Sequence, residues 1–137
     1  MKVAVGVITD EQQRILITRR SLDAPHGGLW EFPGGKLEDA ELPTDALTRE
    51  LKEEVGLDVV AYHFLGEVCH AYERHSVSLL IYHVHQYQGE AVCKEAQMDL
   101  RWVDLSELGK FQFPAANDHI IEIIKGHVNC SKEPQLI

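Results

Sequence analysis

The stretch RELKEEVG, residues 49 to 56, contains three glutamates, Glu50, Glu53 and Glu54. In a helix they would lie within little more than one turn. Like charges three and four residues apart on a helix repel by roughly 0.2 to 0.5 kcal/mol per pair. Partial burial would raise their pKa values and increase the repulsion, unless a divalent cation neutralised them. Carboxylate oxygens are ligands that Mg2+ and Mn2+ prefer. The stretch therefore predicts either a metal site or a solvated acidic helix face.

The glutamates fall in a helix that we predict from Pro43 to about Val55. Proline suits the first turn of a helix, and Gly56 suits its end. Arg49 lies four residues before Glu53, close enough to orient its carboxylate. The apolar stripe that this helix turns to the core comprises Leu47, Leu51 and Val55. The three glutamates therefore border the buried face.

The remaining chain predicts a mixture of strands and one further helix. The strand candidates are residues 2–9, 14–20, 59–72 with a possible break near Gly66, 76–87 and 99–105. Residues 21–43 are rich in Gly, Pro and Asp and predict a long functional loop. A second helix is predicted over residues 115–126, ended by Gly126. The length of 137 residues predicts one domain, residues 1–130, followed by a loosely ordered tail, residues 131–137.

Composition limits the possible partners. The net charge of -9 would repel a nucleic-acid backbone, so we expect no stable nucleic-acid binding. No apolar run reaches the roughly 20 residues that cross a bilayer, and no signal-peptide pattern is evident, so we expect no membrane partner and a cytoplasmic protein. Three cysteines without a CxxC pair predict reduced, mostly buried thiols. An anionic ligand would need metal ions to bind this acidic chain.

A longer pattern surrounds the glutamates and resembles a known family. The fixed positions of GX5EX7REUXEEXGU, where U is a bulky aliphatic residue, are filled by Gly35, Glu41, Arg49, Glu50, Leu51, Glu53, Glu54, Gly56 and Leu57. This pattern resembles the Nudix hydrolase signature, and the segments AVGVIT, ITRR, LWEFPGGK and FPAAN resemble the MutT-type members. Together the matches cover most of residues 3 to 125. The resemblance implies an α/β (α+β) Nudix fold, with a mixed β-sheet sandwiched between α-helices.

The same resemblance implies metal ligands and catalytic groups. The implied ligands are the carbonyl of Gly34 and the carboxylates of Glu50, Glu53, Glu54 and Glu95. The implied catalytic residues are Glu53, Glu54, Glu50, Glu95 and Arg49, of which Arg49 is expected to orient a carboxylate. Glu95, in the loop CKEAQ, is either a metal ligand, a general base or an ordinary exposed loop residue. The expected cofactor is Mg2+, with Mn2+ as a possible substitute.

Other matches concern the nucleotide. Asn117 in FPAAN matches an asparagine that recognises 8-oxoguanine in the MutT-type enzymes, and its amide can both donate and accept a hydrogen bond. A helix N-cap is the alternative role for Asn117. Arg20 and Arg74 match arginines that line the nucleotide pocket, and Lys36 could meet a phosphate. Ordinary solvated side chains are the alternative for these three cations.

One position departs from the MutT-type pattern. Ala71 stands where the pattern places a phenylalanine near the base, so either Tyr72 or His70 provides the stacking surface or the pocket is more open. His83 and His85 share a strand face and are compatible with zinc. With no third ligand evident nearby, we predict that both are packed or exposed strand residues.

These observations lead to three candidate functions. The first is a Mg2+-dependent hydrolase that converts 8-oxo-dGTP to 8-oxo-dGMP and pyrophosphate, acting as a monomer on a small-molecule nucleoside triphosphate. The second is a pyrimidine-preferring pyrophosphohydrolase that acts on CTP or 5-methyl-dCTP. The third is a Nudix domain that binds a damaged base without catalysis.

Overall fold

Seven strands, two α-helices and one short 3-10 helix make up the described part of the chain. The computed structural model describes residues 1–132, with side chains through residue 127. The strands are β1 (Lys2–Ile8), β2 (Ile15–Arg19), β3 (Trp30–Glu31), β4 (Gly34–Lys36), β5 (Asp58–Ala71), β6 (Ser76–Gln88) and β7 (Asp99–Val103). The helices are α1 (Pro43–Val55), α2 (Asn117–Lys132) and a 3-10 helix at Leu105–Lys110.

The strands form two sheets. A four-stranded sheet has the order β4-β1-β6-β5, and a three-stranded sheet has the order β3-β2-β7. Strand β1 runs parallel to β6, whereas the other pairs in both sheets are antiparallel. The four-stranded sheet is therefore mixed, as the family resemblance implies.

The two faces of strand β1 pack against different helices. Successive side chains of a strand point to opposite faces of its sheet. Ala4 and Ile8 pack in one cluster with the α1 residue Leu47, whereas Val5 and Val7 pack in another with the α2 residue Ile120. The mixed sheet consequently lies between α1 and α2, which confirms the predicted architecture.

Helix α1 has the predicted bounds. Its buried residues include Leu47, Leu51 and Val55, the predicted apolar stripe. Gly56 ends the helix in the left-handed conformation, at φ 74°, and its N–H donates to carbonyls of the last turn. Glycine adopts this conformation without the steric cost that a Cβ would bring.

Several predicted boundaries were wrong. Helix α2 continues past Gly126 to Lys132, because a glycine inside a helix costs only about 1 kcal/mol relative to alanine and does not by itself end it. Strand β5 is continuous at Gly66, where a register irregularity takes the place of the predicted break. The long loop contains β3 and β4, and the last strand ends at Val103.

Two further predictions concern the cysteines and the tail. Cys69 and Cys93 are exposed, so the prediction of mostly buried thiols was wrong for these two. The side chain of Cys130 and residues 133–137 of the predicted tail lie outside the described residues, whereas residues 131 and 132 belong to α2. The domain boundary at residue 130 stays a prediction. Within residues 1–132, no helix is long and apolar enough to cross a membrane.

Candidate active site

Two glycines bring strand β4 against both β1 and α1. Gly34 pairs with Val5 and Gly35 pairs with Ala4 in the antiparallel ladder. A Cβ on Gly34 would lie 2.1 Å from the carbonyl oxygen of Ala4, and a Cβ on Gly35 would lie 2.2 Å from the carboxyl carbon of Glu50. Any side chain at either position would displace β1 or Glu50, so close packing of the glutamate requires glycine here.

Arg49 holds the carboxylates of three glutamates. Its Nη1 donates to Glu50 Oε1 at 2.8 Å and to Glu53 Oε2 at 3.3 Å. Its Nε and Nη2 each donate to the Glu41 carboxylate at 2.9 Å, and Nη2 also donates to the Lys36 carbonyl at 3.1 Å. The paired hydrogen bonds lower the pKa of Glu41 to about 2. Arg49 therefore holds the carboxylates of Glu50 and Glu53 in place, whereas its catalytic role stays a prediction.

Glu54 is the most strongly perturbed carboxyl group of the cluster. Burial raises its pKa to about 8, and the negative charges of Glu31, Glu50 and Glu95 act in the same direction. One hydrogen bond opposes this shift, from the Gly34 N–H to Glu54 Oε2 at 3.0 Å. Burial also raises the pKa of Glu50, although Arg49 opposes it. The hydrogen bonds and positive charges of the protein therefore do not fully offset the cost of ionising Glu50 and Glu54.

Glu95 and Glu54 both line a small cavity of about 140 Å3, and the charge of Glu95 acts on Glu54. The cavity is lined by Arg20, Ser21, Ala24, Glu31, Glu54, Glu95, Ala96 and Gln97. The Gln97 side chain fixes the loop, because its Nε2 donates to the Glu54 carbonyl at 3.1 Å and its Oε1 accepts from the Glu95 N–H at 2.9 Å. The loop glutamate therefore lies beside the helical glutamates.

Glu31 and Gln97 were not predicted from the sequence as part of the site. Burial raises the pKa of Glu31 although Arg20 Nη1 donates to it at 2.8 Å, and the charge of Glu95 raises it further. The sequence offered one signal for Glu31, which is its position directly after Trp30 and shortly before the glycine pair. Nothing in the sequence around Gln97 distinguishes it from a surface glutamine.

The donor set fits a divalent cation. Glu50, Glu53, Glu54 and Glu95 offer hard carboxylate oxygens, which suit a cation such as Mg2+ or Mn2+. The raised pKa values of Glu50 and Glu54 are those of buried acids beside like charges, and a cation would reverse that effect. The role of the Gly34 carbonyl as a metal ligand stays a prediction, since Gly34 contacts Glu54 through its N–H.

The start of α2 is tied to the strand that precedes the glycine pair. The Trp30 N–H donates to the Gln112 carbonyl at 2.8 Å, and the rings of Phe32 and Phe113 stack with centroids 5.2 Å apart. Asn117 is the first residue of α2, and its N–H donates to the Pro114 carbonyl at 2.9 Å. Asn117 therefore follows directly after a segment that packs against Trp30 and Phe32.

The other nucleotide candidates lie at more exposed positions. Arg74 lies in the turn between β5 and β6, where the Tyr72 N–H donates to the His75 carbonyl at 2.7 Å. The Tyr72 ring stacks on His75 with centroids 5.0 Å apart and contacts His70 at 4.6 Å. The Lys36 side chain is exposed at the end of β4. Arg20 lines the cavity of about 140 Å3 beside Glu54 and Glu95, which we call the acidic cavity. Among the described residues, it is the only proposed nucleotide contact in that lining.

Comparisons with known proteins agree on one family. The family model described as NUDIX domain matches residues 4–123. An 8-oxo-dGTP diphosphatase of Escherichia coli strain K12 is 36% identical over 125 residues, which cover 91% of this chain and 96% of that protein. An 8-oxo-dGTP diphosphatase of Proteus vulgaris is 41% identical over 95 residues, covering 69% of this chain and 85% of that protein. A CTP pyrophosphohydrolase of Escherichia coli is 29% identical over 118 residues, covering 86% and 87%.

A solved structure is similar over nearly the same span. It belongs to a study of MutT from Aliivibrio salmonicida and Vibrio cholerae, with a TM-score of 0.79 and 31% sequence identity. The match covers 92% of this chain and 99% of that one. The similarity thus extends over nearly the whole chain.

Proposed function

The chain belongs to the NUDIX domain family and is a nucleoside triphosphate hydrolase of that family, and we propose that it converts 8-oxo-dGTP to 8-oxo-dGMP and pyrophosphate. The observation that carries this proposal is the cluster of glutamates around Arg49 and Gly34. Burial beside like charges raises the pKa of Glu54 to about 8. The ionised cluster is therefore unfavourable without a counter-charge, which a bound cation would supply. A divalent metal is general to the family, and we propose Mg2+, with Mn2+ as a possible substitute.

The glutamates Glu50, Glu53, Glu54 and Glu95 would hold the metal, and we propose the Gly34 carbonyl as a further ligand. Bound divalent ions would neutralise phosphate charge and increase the acidity of a water molecule. A triphosphate carries about four negative charges, and the chain carries a net charge of -9, so the ions also let an acidic substrate approach an acidic protein.

The residues of the chain supply orientation and proton transfer. Arg49 fixes Glu50 and Glu53, and the Gly34 N–H fixes Glu54, so these carboxylates are set before substrate arrives. Gln97 holds the backbone beside Glu95. We propose that Glu95 accepts the proton of the water that attacks the β phosphorus. Attack at the β phosphorus breaks its bond to the oxygen that bridges to the α phosphorus. The nucleoside monophosphate is therefore the leaving group and retains the base, and pyrophosphate carries the oxygen of the attacking water.

Recognition of the base is assigned to groups outside the cluster. We propose that Asn117 reads the oxidised purine edge with its amide, that Arg20 and Arg74 line the nucleotide pocket, and that Lys36 meets a phosphate. Tyr72 lies next to Ala71 and supplies an exposed ring on which a base could stack. The relatives named 8-oxo-dGTP diphosphatase support this choice of base.

The biological role follows from the substrate. Hydrolysis of 8-oxo-dGTP removes a damaged precursor before a polymerase can incorporate it, which would avoid mutation during DNA replication. We propose that the protein acts in the cytoplasm on this free nucleotide, as a monomer and without stable binding to nucleic acid. The net charge of -9 supports the last point, since it disfavours contact with a phosphate backbone.

A pyrimidine substrate is the second candidate. One relative is named a CTP pyrophosphohydrolase, and Ala71 removes the aromatic ring that the MutT-type pattern places near the base. The same glutamate cluster would serve either base. The complete glutamate cluster argues against a domain that only binds a damaged base.

The test is pyrophosphate release from 8-oxo-dGTP, dGTP, CTP and 5-methyl-dCTP at one low concentration, with and without Mg2+. We expect Mg2+-dependent release, with 8-oxo-dGTP favoured over dGTP by orders of magnitude. Preference for CTP or 5-methyl-dCTP would overturn the base assignment and keep the glutamate chemistry. Absence of turnover on all four would overturn both.

A further inference from the structure

Four histidines gather on the face of the four-stranded sheet that α2 covers. His63 of β5 lies opposite His83 of β6 in the antiparallel ladder, with ring centroids 5.3 Å apart. His127 reaches the same place from α2, 5.4 Å from the His83 ring, and His85 lies 4.5 Å from the His63 ring. One ring nitrogen from each of His63, His83 and His127 lies within 4.8 Å of the other two.

The sequence did not predict this cluster. We expected His83 and His85 to lack a third ligand nearby, and that expectation was wrong. Pairing of β5 with β6 brings in His63, and the extension of α2 beyond Gly126 brings in His127. Both are tertiary effects that periodicity in a single strand does not reveal.

The histidines are separated from the glutamates by the sheet. Ile81, two residues before His83 and on the same face, packs with the α2 residue Ile120. Tyr82 and Val84 face the other way and pack with Leu47 of α1. Because α1 carries the glutamates, the histidine cluster lies on the opposite face of the four-stranded sheet.

His83 has a buried ring nitrogen, Nδ1, whose hydrogen-bonding capacity is unsatisfied within the described part of the chain. Its Nε2 lies 2.8 Å from Thr9 Oγ1, whereas its Nδ1 is buried and has no hydrogen-bond partner among the described residues. A buried nitrogen without a partner costs about 1 to 3 kcal/mol. Burial and the neighbouring imidazoles lower the pKa of His83 to about 4, which keeps the ring neutral. With a hydrogen on Nε2 donated to Thr9, Nδ1 retains a lone pair that can bind a metal.

We propose that His63, His83 and His127 form a second metal site, for a transition metal of the Zn2+ class. Three neutral imidazoles are a recurring zinc ligand set, and they suit Zn2+, Co2+, Ni2+ or Cu2+ better than Mg2+. A water molecule would complete the ligand set, or His85 would do so after a change of rotamer, since its ring lies 4.5 Å from that of His63. An ion can reach the site from a cavity of about 770 Å3 whose lining includes Thr9, His83 and His127.

Small side-chain movements would complete the geometry. Nitrogens bound to one tetrahedral Zn2+ lie about 3.4 Å apart, given Zn–N distances of about 2.0 to 2.1 Å. A separation of up to 4.8 Å therefore has to close by about 1.4 Å at most. His63 is exposed and can change rotamer to do so.

The site would join α2, which packs on the sheet, to the hydrogen-bonded strands β5 and β6. A metal held by β5, β6 and α2 would fasten α2 to the sheet, and its binding free energy would add to the stability of the folded chain. Asn117 begins the same helix, so the metal would also restrain the helix that carries the proposed base-reading residue.

The test is Zn2+ titration calorimetry and Co2+ visible absorption on the full chain, with Mg2+ in large excess to saturate the carboxylates. We expect one equivalent of Zn2+ for the parent, and absorption bands of tetrahedral Co2+. His127→Ala and His63→Ala should weaken Zn2+ binding at least about 100-fold, because loss of groups that only support a ligand already costs 10- to 100-fold. His119→Ala, an exposed histidine of the same helix, is the matched control and should bind like the parent.

Two further measurements distinguish the histidine site from the glutamate cluster. Glu53→Gln should retain the Zn2+ equivalent, which separates this site from the glutamate cluster. Zn2+ should raise the Tm of the parent and of His119→Ala, and leave that of His127→Ala unchanged. Absence of binding by the parent, or equal affinity in His127→Ala, His63→Ala and His119→Ala, would overturn the proposal.

Discussion

The acidic end and the base-reading end of the proposed site are built in different ways. The acidic end comes from one helix, one glycine strand and one loop, with Arg49 contacting Glu41, Glu50 and Glu53 at 2.8 to 3.3 Å. The base-reading end relies on the start of α2 and on a turn whose Arg74 is exposed. In that turn, residues contact one another, as Tyr72 contacts His75.

The difference shows which properties are fixed by the fold. Carboxylates held by several hydrogen bonds and by strand packing keep their geometry before substrate binds, which is what electrostatic catalysis requires. Exposed turn residues can adopt other rotamers without disturbing the core. We therefore expect the reaction to tolerate little change and the base preference to tolerate more.

The largest expected effect comes from Glu53→Gln. Replacing this carboxylate by an amide should lower kcat at least about 100-fold on every substrate, the size typical of losing a group that stabilises transition-state charge. Steady-state pyrophosphate release measures it. Glu122→Gln, an exposed glutamate on α2, is the matched control and should behave as the parent. Equal kcat in the two variants would break the distinction between the two ends.

Gly35→Ala should disturb the acidic end through packing alone. Its Cβ would lie 2.2 Å from the Glu50 carboxyl carbon, so Glu50 must leave its contact with Arg49. We expect a loss of about 1 to 3 kcal/mol in the free energy of unfolding and a higher Mg2+ requirement. The control is Gly109→Ala, because a Cβ there meets nothing within 4 Å among the described residues. Parent-like Mg2+ titration by Gly35→Ala would argue against a fixed Glu50.

Glu54→Gln should stabilise the metal-free protein while removing activity. The pKa of Glu54 rises from 4.5 to about 8 in the folded protein. Between these values the folded state binds a proton that the unfolded chain has released, so stability falls as pH rises through this window. A neutral amide avoids that loss, which is on the order of 3 kcal/mol at pH 7.

The check is urea unfolding in the presence of a chelator, near pH 4 and near pH 7. The gain should be present near neutrality and should vanish below 4.5, where both states are protonated. An equal gain at both pH values would mean that the amide acts through packing and not through charge.

Asn117→Ala should have the smallest effect on the reaction and act mainly on selectivity. Loss of one base-edge hydrogen bond is expected to lower the preference for 8-oxo-dGTP over dGTP by about tenfold, or about 1.4 kcal/mol, with kcat for dGTP little changed. Asn117→Ser separates the two roles of this residue, since serine still caps a helix but cannot pair with the base edge in the same way. Parent-like selectivity in Asn117→Ser would assign Asn117 to capping.

The sequence predicted the parts of this molecule that depend on local pattern. The bounds of α1 follow from Pro43, an apolar stripe and Gly56, and the role of Arg49 follows from helical spacing. Parts that depend on distant pairing were not predictable in this way. Glu31 joins the acidic cavity through strand β3, and His63 and His127 meet His83 through β5 and α2, which no local spacing encodes.

Product analysis by phosphorus NMR tests the central claim most directly, with 8-oxo-dGTP as substrate and Mg2+ present or withheld. We expect 8-oxo-dGMP and pyrophosphate as the sole products, formed only when Mg2+ is present. Release of inorganic phosphate with 8-oxo-dGDP, or turnover that persists in chelator, would contradict it.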